Sequence, residues 1–220
     1  NDPPPVGAYQ ESYQPFGDLR LSFDHPSVTD YRRELDISNA IATTTYTLAG
    51  VQYKREYFVS ASNQALITHL SASAKGALSF EASLGSMHKD HMIRQLNSNT
   101  ISLTIKVRHG AIKAVSQLQL LIKGGKLNIV DGKMIVTGAD EATLYLTAGT
   151  NYKNYKDVTA DPVKPCVTAL ALLKGKTYAA IKAAHIKEYK SFFDTYSIQL
   201  GNPSRAGGGN PAPGFPGGGR

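Results

Sequence analysis

The sequence contains no tryptophan and only one cysteine, Cys166, in 220 residues. A single thiol closes no intrachain disulfide, which excludes both a disulfide framework and a CxxC-type zinc site. No apolar run approaches the roughly 18 residues of a membrane-spanning helix, and none near Asn1 has a signal-like apolar stretch, so the chain reads as a processed or excised piece. No GxSxG elbow, P-loop or GxGxxG fingerprint occurs, because Gly207-Gly-Gly209 lies in a tail with no strand-like run before it. Charge is modest: 24 Lys and Arg against 17 Asp and Glu leave +7, and 19% of residues are charged against 41% hydrophobic. That balance supports one large domain with its own core and excludes global disorder and a coiled coil. The positive sign suits an anionic partner or simple solubility and does not choose between them.

What is present is a succession of short segments rich in Val, Thr, Ile and Tyr that alternate apolar with polar residues. Leu19, Leu21 and Phe23 alternate, and in Val51–Phe58 the set Val51, Tyr53, Arg55, Tyr57 faces away from Lys54, Glu56, Phe58. Ala49-Gly50 joins two such runs into a hairpin over 40–59, with glycine free to take the positive φ a tight turn wants. Further strands are expected at 65–71, 77–84, 100–107, 117–122, 127–130, 133–137 and 142–148, with Asp131-Gly132 as a second hairpin turn and Gly124-Gly125 as a third turn. Consecutive strands without intervening helices predict an antiparallel two-layer β-sandwich, a mainly β fold.

The pattern changes at Asp161-Pro162, where Asp caps and Pro begins a helix running through Val167, Leu170 and Leu173 to Gly175. Thr177 opens a second helix to about Tyr196, with Ile181, His185, Tyr189, Phe192 and Tyr196 on one face and Lys182, Lys187 and Lys190 elsewhere. Docking through Ile181, Tyr189 and Phe192 is expected, and Ser197 to Leu200 is a candidate last strand. The organisation is therefore a sandwich over 1–160, a C-terminal pair of linker helices and a last strand over 161–200, and a disordered Gly/Pro-rich tail over 201–220.

Individual chemical groupings are weak. His88, Asp90 and His91 are near in sequence, but zinc needs three or four ligands, and His25, His69, His109 and His185 share no matching spacing. The segment is expected to be a polar surface loop, without metal. Asp18, Asp30, Glu34, Asp36 and Glu56 include possible hydrolase carboxylates, yet the mixed charges of Thr29–Asp36 suit cross-strand ion pairs better. Lys106, Arg108, Lys113, Lys123, Lys126 and Lys133 make the most basic stretch, which lacks interleaved aromatics, so a solvated sheet face is expected rather than nucleic-acid binding. Cys166, in a helical stretch with no base arranged beside it, is read as a buried small apolar residue. Tyr9, Tyr13, Tyr152 and Tyr155 are the candidates for a sugar-stacking platform.

Longer segments say more. Tyr13-Gln-Pro-Phe-Gly-Asp-Leu-Arg-Leu21, Asp30-Tyr-Arg-Arg-Glu-Leu-Asp-Ile37, Ala40-Ile-Ala-Thr43, Gly50-Val-Gln-Tyr-Lys-Arg-Glu-Tyr-Phe-Val-Ser60 and Asn63-Gln64 occur in order, followed by Gly76–Leu84, Ala142–Tyr152, Asn154–Asp157 and Ser197–Gly201. Together they resemble the N-terminal domain of glycoside hydrolase family 95, the α-L-fucosidase family. The resemblance implies a β-sandwich and linker helices that lead into a catalytic (α/α) barrel, acting on fucosylated glycans in a periplasmic or extracellular setting. Segments usual before the first motif, Gly-Asn-Gly-Arg-Leu-Gly-like and Asn-Glu-Asp-Thr-Leu-Trp-like, do not occur here, and after Gly201 the chain turns Gly/Pro-rich where the family runs toward the barrel.

Because the matching positions lie outside that barrel, the resemblance carries over no catalytic residue, no cofactor and no assigned carbohydrate-binding residue. The expected role is a noncatalytic sandwich that packs against the barrel; a free-standing carbohydrate-binding or self-assembling sandwich is the other reading. No membrane partner is expected. Self-association through an exposed sheet edge is, with the Asn1–Tyr9 leader and the Gly201–Arg220 tail as possible strand donors.

Overall fold

Alternating strands joined by tight turns dominate the computed structural model, which describes residues 15–198 apart from His109. In chain order the elements are β1 (Asp18–Ser22), β2 (Thr29–Asp36), β3 (Ile41–Leu48), β4 (Val51–Ser60), β5 (Ala65–Ala72), β6 (Leu78–Gly85) and β7 (His91–Asn97). There follow β8 (Thr100–Lys106), β9 (Lys113–Lys123), β10 (Lys126–Val130), β11 (Lys133–Ala139), β12 (Glu141–Thr150), α1 (Val163–Leu173) and α2 (Tyr178–Phe193). A four-stranded sheet in the order β1-β6-β11-β10 lies over an eight-stranded sheet in the order β2-β3-β4-β5-β12-β9-β8-β7. Every strand pairing is antiparallel.

Turn chemistry sets much of this register. Between β3 and β4, Ala49 and Gly50 both take positive φ, 49° and 77°. That is the two-residue turn whose twist matches the flanking strands, so Leu48 pairs with Val51. At Gly125, between β9 and β10, a Cβ would meet the backbone of Gly138 and Ala139 at 2.5 Å. Glycine is required there by the close approach of another strand as well as by φ.

Two apolar clusters divide the interior. The first fills the space between the sheets, with Leu70, Phe80, Leu103, Leu118, Met134 and Leu144 among its buried members. The second lies on the opposite face of the large sheet, where Ile41, Phe58, Ile67 and Tyr145 meet Leu173 of α1 and Ile181 of α2. The molecule is thus a two-sheet sandwich with a third, helical layer. Helix α1 buries Cys166, Ala169 and Leu173, one stripe at three- and four-residue steps. The Cys166 Sγ lies 3.4 Å from the Val115 carbonyl, and burial pushes the thiol pKa up. The Thr177 hydroxyl accepts from Ala180 N at 3.2 Å, so α2 starts as its capping residue predicts; in α1 Pro162 itself takes the cap position, and Asp161 Oδ1, one residue earlier than a cap, accepts from Val163 N at 2.9 Å.

Four expectations are corrected. His91–Asn97 is a strand, and together with Thr29–Asp36, whose mixed charges already suited a strand, it forms the two margins of the large sheet. Nearly every residue in them is exposed, so neither shows the half-buried alternation by which a strand is recognised. His88 is buried rather than part of a polar surface loop. Phe192 is 70% exposed, and α2 stops at Phe193. Docking rests on the buried Ile181 and His185, with Tyr189 half-buried and donating its hydroxyl to the Ile37 carbonyl at 2.9 Å, so of the three expected contacts Phe192 is the one that fails. Ser197 and Ile198 have no strand partner among the described residues; Gln199, Leu200, the tail 201–220 and the leader 1–14 lie outside them.

Candidate functional site

The register of the large sheet lines up one polar row across five strands on its helix-facing side: Glu34, Thr43, Glu56, His69 and Thr143 are consecutive cross-strand partners. A second row beside it runs Arg32, Thr45, Lys54, Ser71 and Glu141. On the other flank lie the apolar Ile41, Phe58, Ile67 and Tyr145 that receive Ile181. Helix α2 therefore straddles a boundary, with Ile181 over the apolar row and Tyr178 and Lys182, three residues before it and one after, over the polar one.

Glu56 is the centre of the arrangement and is only 6% exposed. Its Oε1 accepts from Lys182 at 2.7 Å and pairs with Lys54 at 3.1 Å, while its Oε2 accepts from the Tyr178 hydroxyl at 3.0 Å. Burial alone would raise its pKa, but the two lysines outweigh burial and hold the carboxyl below its ordinary value. The Tyr178 phenol is pushed far above its ordinary range, first by burial and then by the adjacent carboxylate. The His69 ring stacks on Tyr178 with centroids 3.8 Å apart and shares a hydrogen bond with Thr143 Oγ1 at 2.9 Å. Burial lowers the imidazole pKa, so His69 is neutral near pH 7.

Toward β2 the cluster opens into a groove of about 550 Å³ floored by Thr43, Thr45 and Ile41 and walled by Arg32, Lys182 and Ile186. Its acids are committed. Glu34 pairs with Arg32 at 2.7 Å, and both Asp36 oxygens bond Asn39, at 3.1 and 2.7 Å. Glu34 and Glu56 flank Thr43 in one row, with backbones roughly 10 Å apart from strand spacing. That spacing approaches an inverting glycosidase pair, but a carboxylate saturated by Lys54, Lys182 and Tyr178 has no proton to give. The groove has the chemistry of a binding surface.

The other candidates do not converge. His88 Nε2 donates to Pro15 O at 2.8 Å and His91 Nδ1 to His88 O at 2.6 Å, and no group of three metal-ligating side chains is found among the described residues. Asp18 pairs with Arg20 and Asp30 bonds Thr29. Lys106, Arg108, Lys113, Lys123, Lys126 and Lys133 are all exposed; Lys133 meets Glu81 at 2.9 Å and Lys123 meets Glu141 at 3.4 Å. Tyr155 is 83% exposed and Tyr152 is exposed too, but no ring contact joins them among the described residues, and the only described cation against Tyr155 is Lys156, 5.2 Å from its centroid. Tyr9, Tyr13 and His109 lie outside the described residues. Tyr178, Lys182, His69, Thr43 and Thr45 were not distinguishable as a site in the sequence; the one signal was an acid, Glu56, alternating with apolar residues on a strand whose two faces are both covered.

Sheet order and helical layer define a two-sheet β-sandwich module with a polar groove between its large sheet and α2. The family model described as the glycosyl hydrolase family 65 N-terminal domain matches residues 5–155, and the chain belongs to that family. It is 30% identical to alpha-L-fucosidase 2 of Arabidopsis thaliana over 90% of this chain and 27% of the relative. With the probable alpha-fucosidase A of Aspergillus niger it shares 22% identity over 89% of this chain and 26% of the relative. The chain thus spans about a quarter of the length of the curated relatives it matches. A putative kojibiose phosphorylase from the human microbiome has the same fold, with a TM-score of 0.58 at 14% identity over 80% of this chain and 27% of that one.

Proposed function

We propose that the chain is the noncatalytic N-terminal sandwich of a family 95 α-L-fucosidase-like enzyme of fucosylated-glycan breakdown, and that it supports a catalytic (α/α) barrel through its helical layer. The observation that carries this reading is the match with two fucosidases over nine-tenths of the chain but only about a quarter of each relative. The helical layer supports it. Val167 and Leu172 on α1, and Phe192, Tyr196 and Ile198 at and beyond the end of α2, are large apolar side chains exposed to solvent, the pattern of a surface that another body covers.

A domain exchange tests it. The chain, put in place of the matching quarter of the Arabidopsis enzyme, should yield a soluble chimera that releases fucose from 2′-fucosyllactose, whereas the 220-residue chain alone should release none. Phe192→Asp with Tyr196→Asp should cut the soluble, active chimera severalfold. Fucose release by the isolated chain, or an exchange that tolerates both aspartates unchanged, overturns the reading.

The exposed margin of the large sheet favours a second reading, self-association. Strand β2 has no partner on its outer edge among the described residues, with Tyr31 and Leu35 exposed, although a register shift between Thr29 and Arg32 and the charges of Arg32–Glu34 blunt that edge. Weak, concentration-dependent association is expected in sedimentation velocity; a single 23.7 kDa species at every concentration defeats it.

A further inference from the structure

We infer that the groove between the β2–β4 surface and α2 binds a neutral polyhydroxylated ligand of the oligosaccharide class. This inference goes beyond the supporting role and does not depend on it.

The groove's cations, Arg32, Lys54 and Lys182, are matched in number by Glu34, Asp36 and Glu56. Each cation is within 3.1 Å of a carboxylate inside the groove, so no cation is left to recruit an anion and no carboxylate cluster is left to hold a metal. What remains for a ligand is hydrogen bonding. The Thr43 and Thr45 hydroxyls make no hydrogen bond with another described side chain, lie on adjacent rows of the same face and are half-buried. Around them stand the second oxygen of Glu34, the carbonyl of the Asn39 side chain and the remaining Arg32 N–H groups. Alternating donors and acceptors held by ion pairs are the complement of a row of sugar hydroxyls, which donate and accept at once. Partly buried Ile186 adds an apolar contact for the C–H face of a pyranose, over the core residue Ile41, and about 550 Å³ suits a mono- to disaccharide. The ion pairs also preorganise the site: Glu56 is fixed by three donors from two elements, so β4 and α2 keep the groove open without a ligand.

Two-dimensional ¹H–¹⁵N spectra of the 220-residue chain, titrated with 2′-fucosyllactose and separately with kojibiose, test this. Saturable shifts confined to residues 32–45, 54–56 and 182–186 are expected with at least one of the two sugars. Thr43→Val combined with Thr45→Val keeps strand propensity and should weaken binding by about tenfold, the loss of two neutral hydrogen bonds. Arg32→Gln, on an exposed strand, gives a second variant if that one does not fold, and should weaken binding in the same direction. Tyr155→Ala should leave the titration unchanged. The inference is overturned if neither sugar produces a saturable shift, if the shifts survive the folded groove variants, or if Tyr155→Ala abolishes them. Fucose release by the chimera is read independently, so failure of the groove and failure of the supporting role are told apart.

Discussion

Replacing Ile181 by alanine should lower stability by about 2–5 kcal/mol, whereas the same truncation at Phe192 should change it by no more than about 0.5 kcal/mol. Ile181 is fully buried among Ile41, Phe58, Ile67, Tyr145 and Leu173, where both helices meet the large sheet. Truncation there loses the transfer free energy of the removed carbons and leaves a cavity under a helix pinned on both sides, by Tyr178 to Glu56 and by His185 Nε2 to the Asn39 carbonyl at 3.0 Å. The neighbourhood cannot collapse freely, which places the cost in the upper part of the range. Phe192, about three turns further along and solvent-facing, has little to lose. Thermal unfolding of the two variants checks this, at about 2–4 °C per kcal/mol for a chain of this size. Equal midpoints would mean that the helix is held by something other than its apolar stripe.

That contrast also marks how far the sequence could be read. A helical wheel gives the direction of Ile181, His185, Tyr189 and Phe192 but not the extent of the sheet beneath them, so the near end of the stripe is buried and the far end is not. The strand around Leu19 and Leu21 carried its pattern in alternation, and the Ala49-Gly50 hairpin in its turn residues. Strands β2 and β7 did not, because a margin strand exposed on both sides has no burial to impress on its residues. The site was less legible still. Glu56 and Lys182 are 126 positions apart, and only the register Thr43–Glu56–His69 together with the angle of α2 makes them neighbours. Segment order across the whole chain, in contrast, sufficed for kinship with fucosidases, since it rests on many weak matches rather than on any one geometry.

The ion-pair centre should make stability depend on pH through one carboxylate. Glu56→Gln keeps the volume and an acceptor for Tyr178 but removes the charge that Lys54 and Lys182 answer. Breaking a fully buried pair costs about 3–5 kcal/mol; here both lysines retain some contact with water, so a loss of roughly 2 kcal/mol is expected at pH 7. The direction with pH follows from the native pKa of Glu56 lying below the ordinary glutamate value of 4.5. A carboxyl that binds its proton less readily in the folded chain than in the unfolded one contributes all its stability above the unfolded pKa. That contribution is lost as pH falls through the native one. The wild-type and Glu56→Gln stabilities should therefore differ most above the ordinary glutamate value of 4.5 and converge only as pH falls through the lower native pKa. Urea denaturation of both proteins across pH 3–8 measures the gap, and a difference that stayed constant to the acid end would show that Glu56 acts through packing and not through its charge.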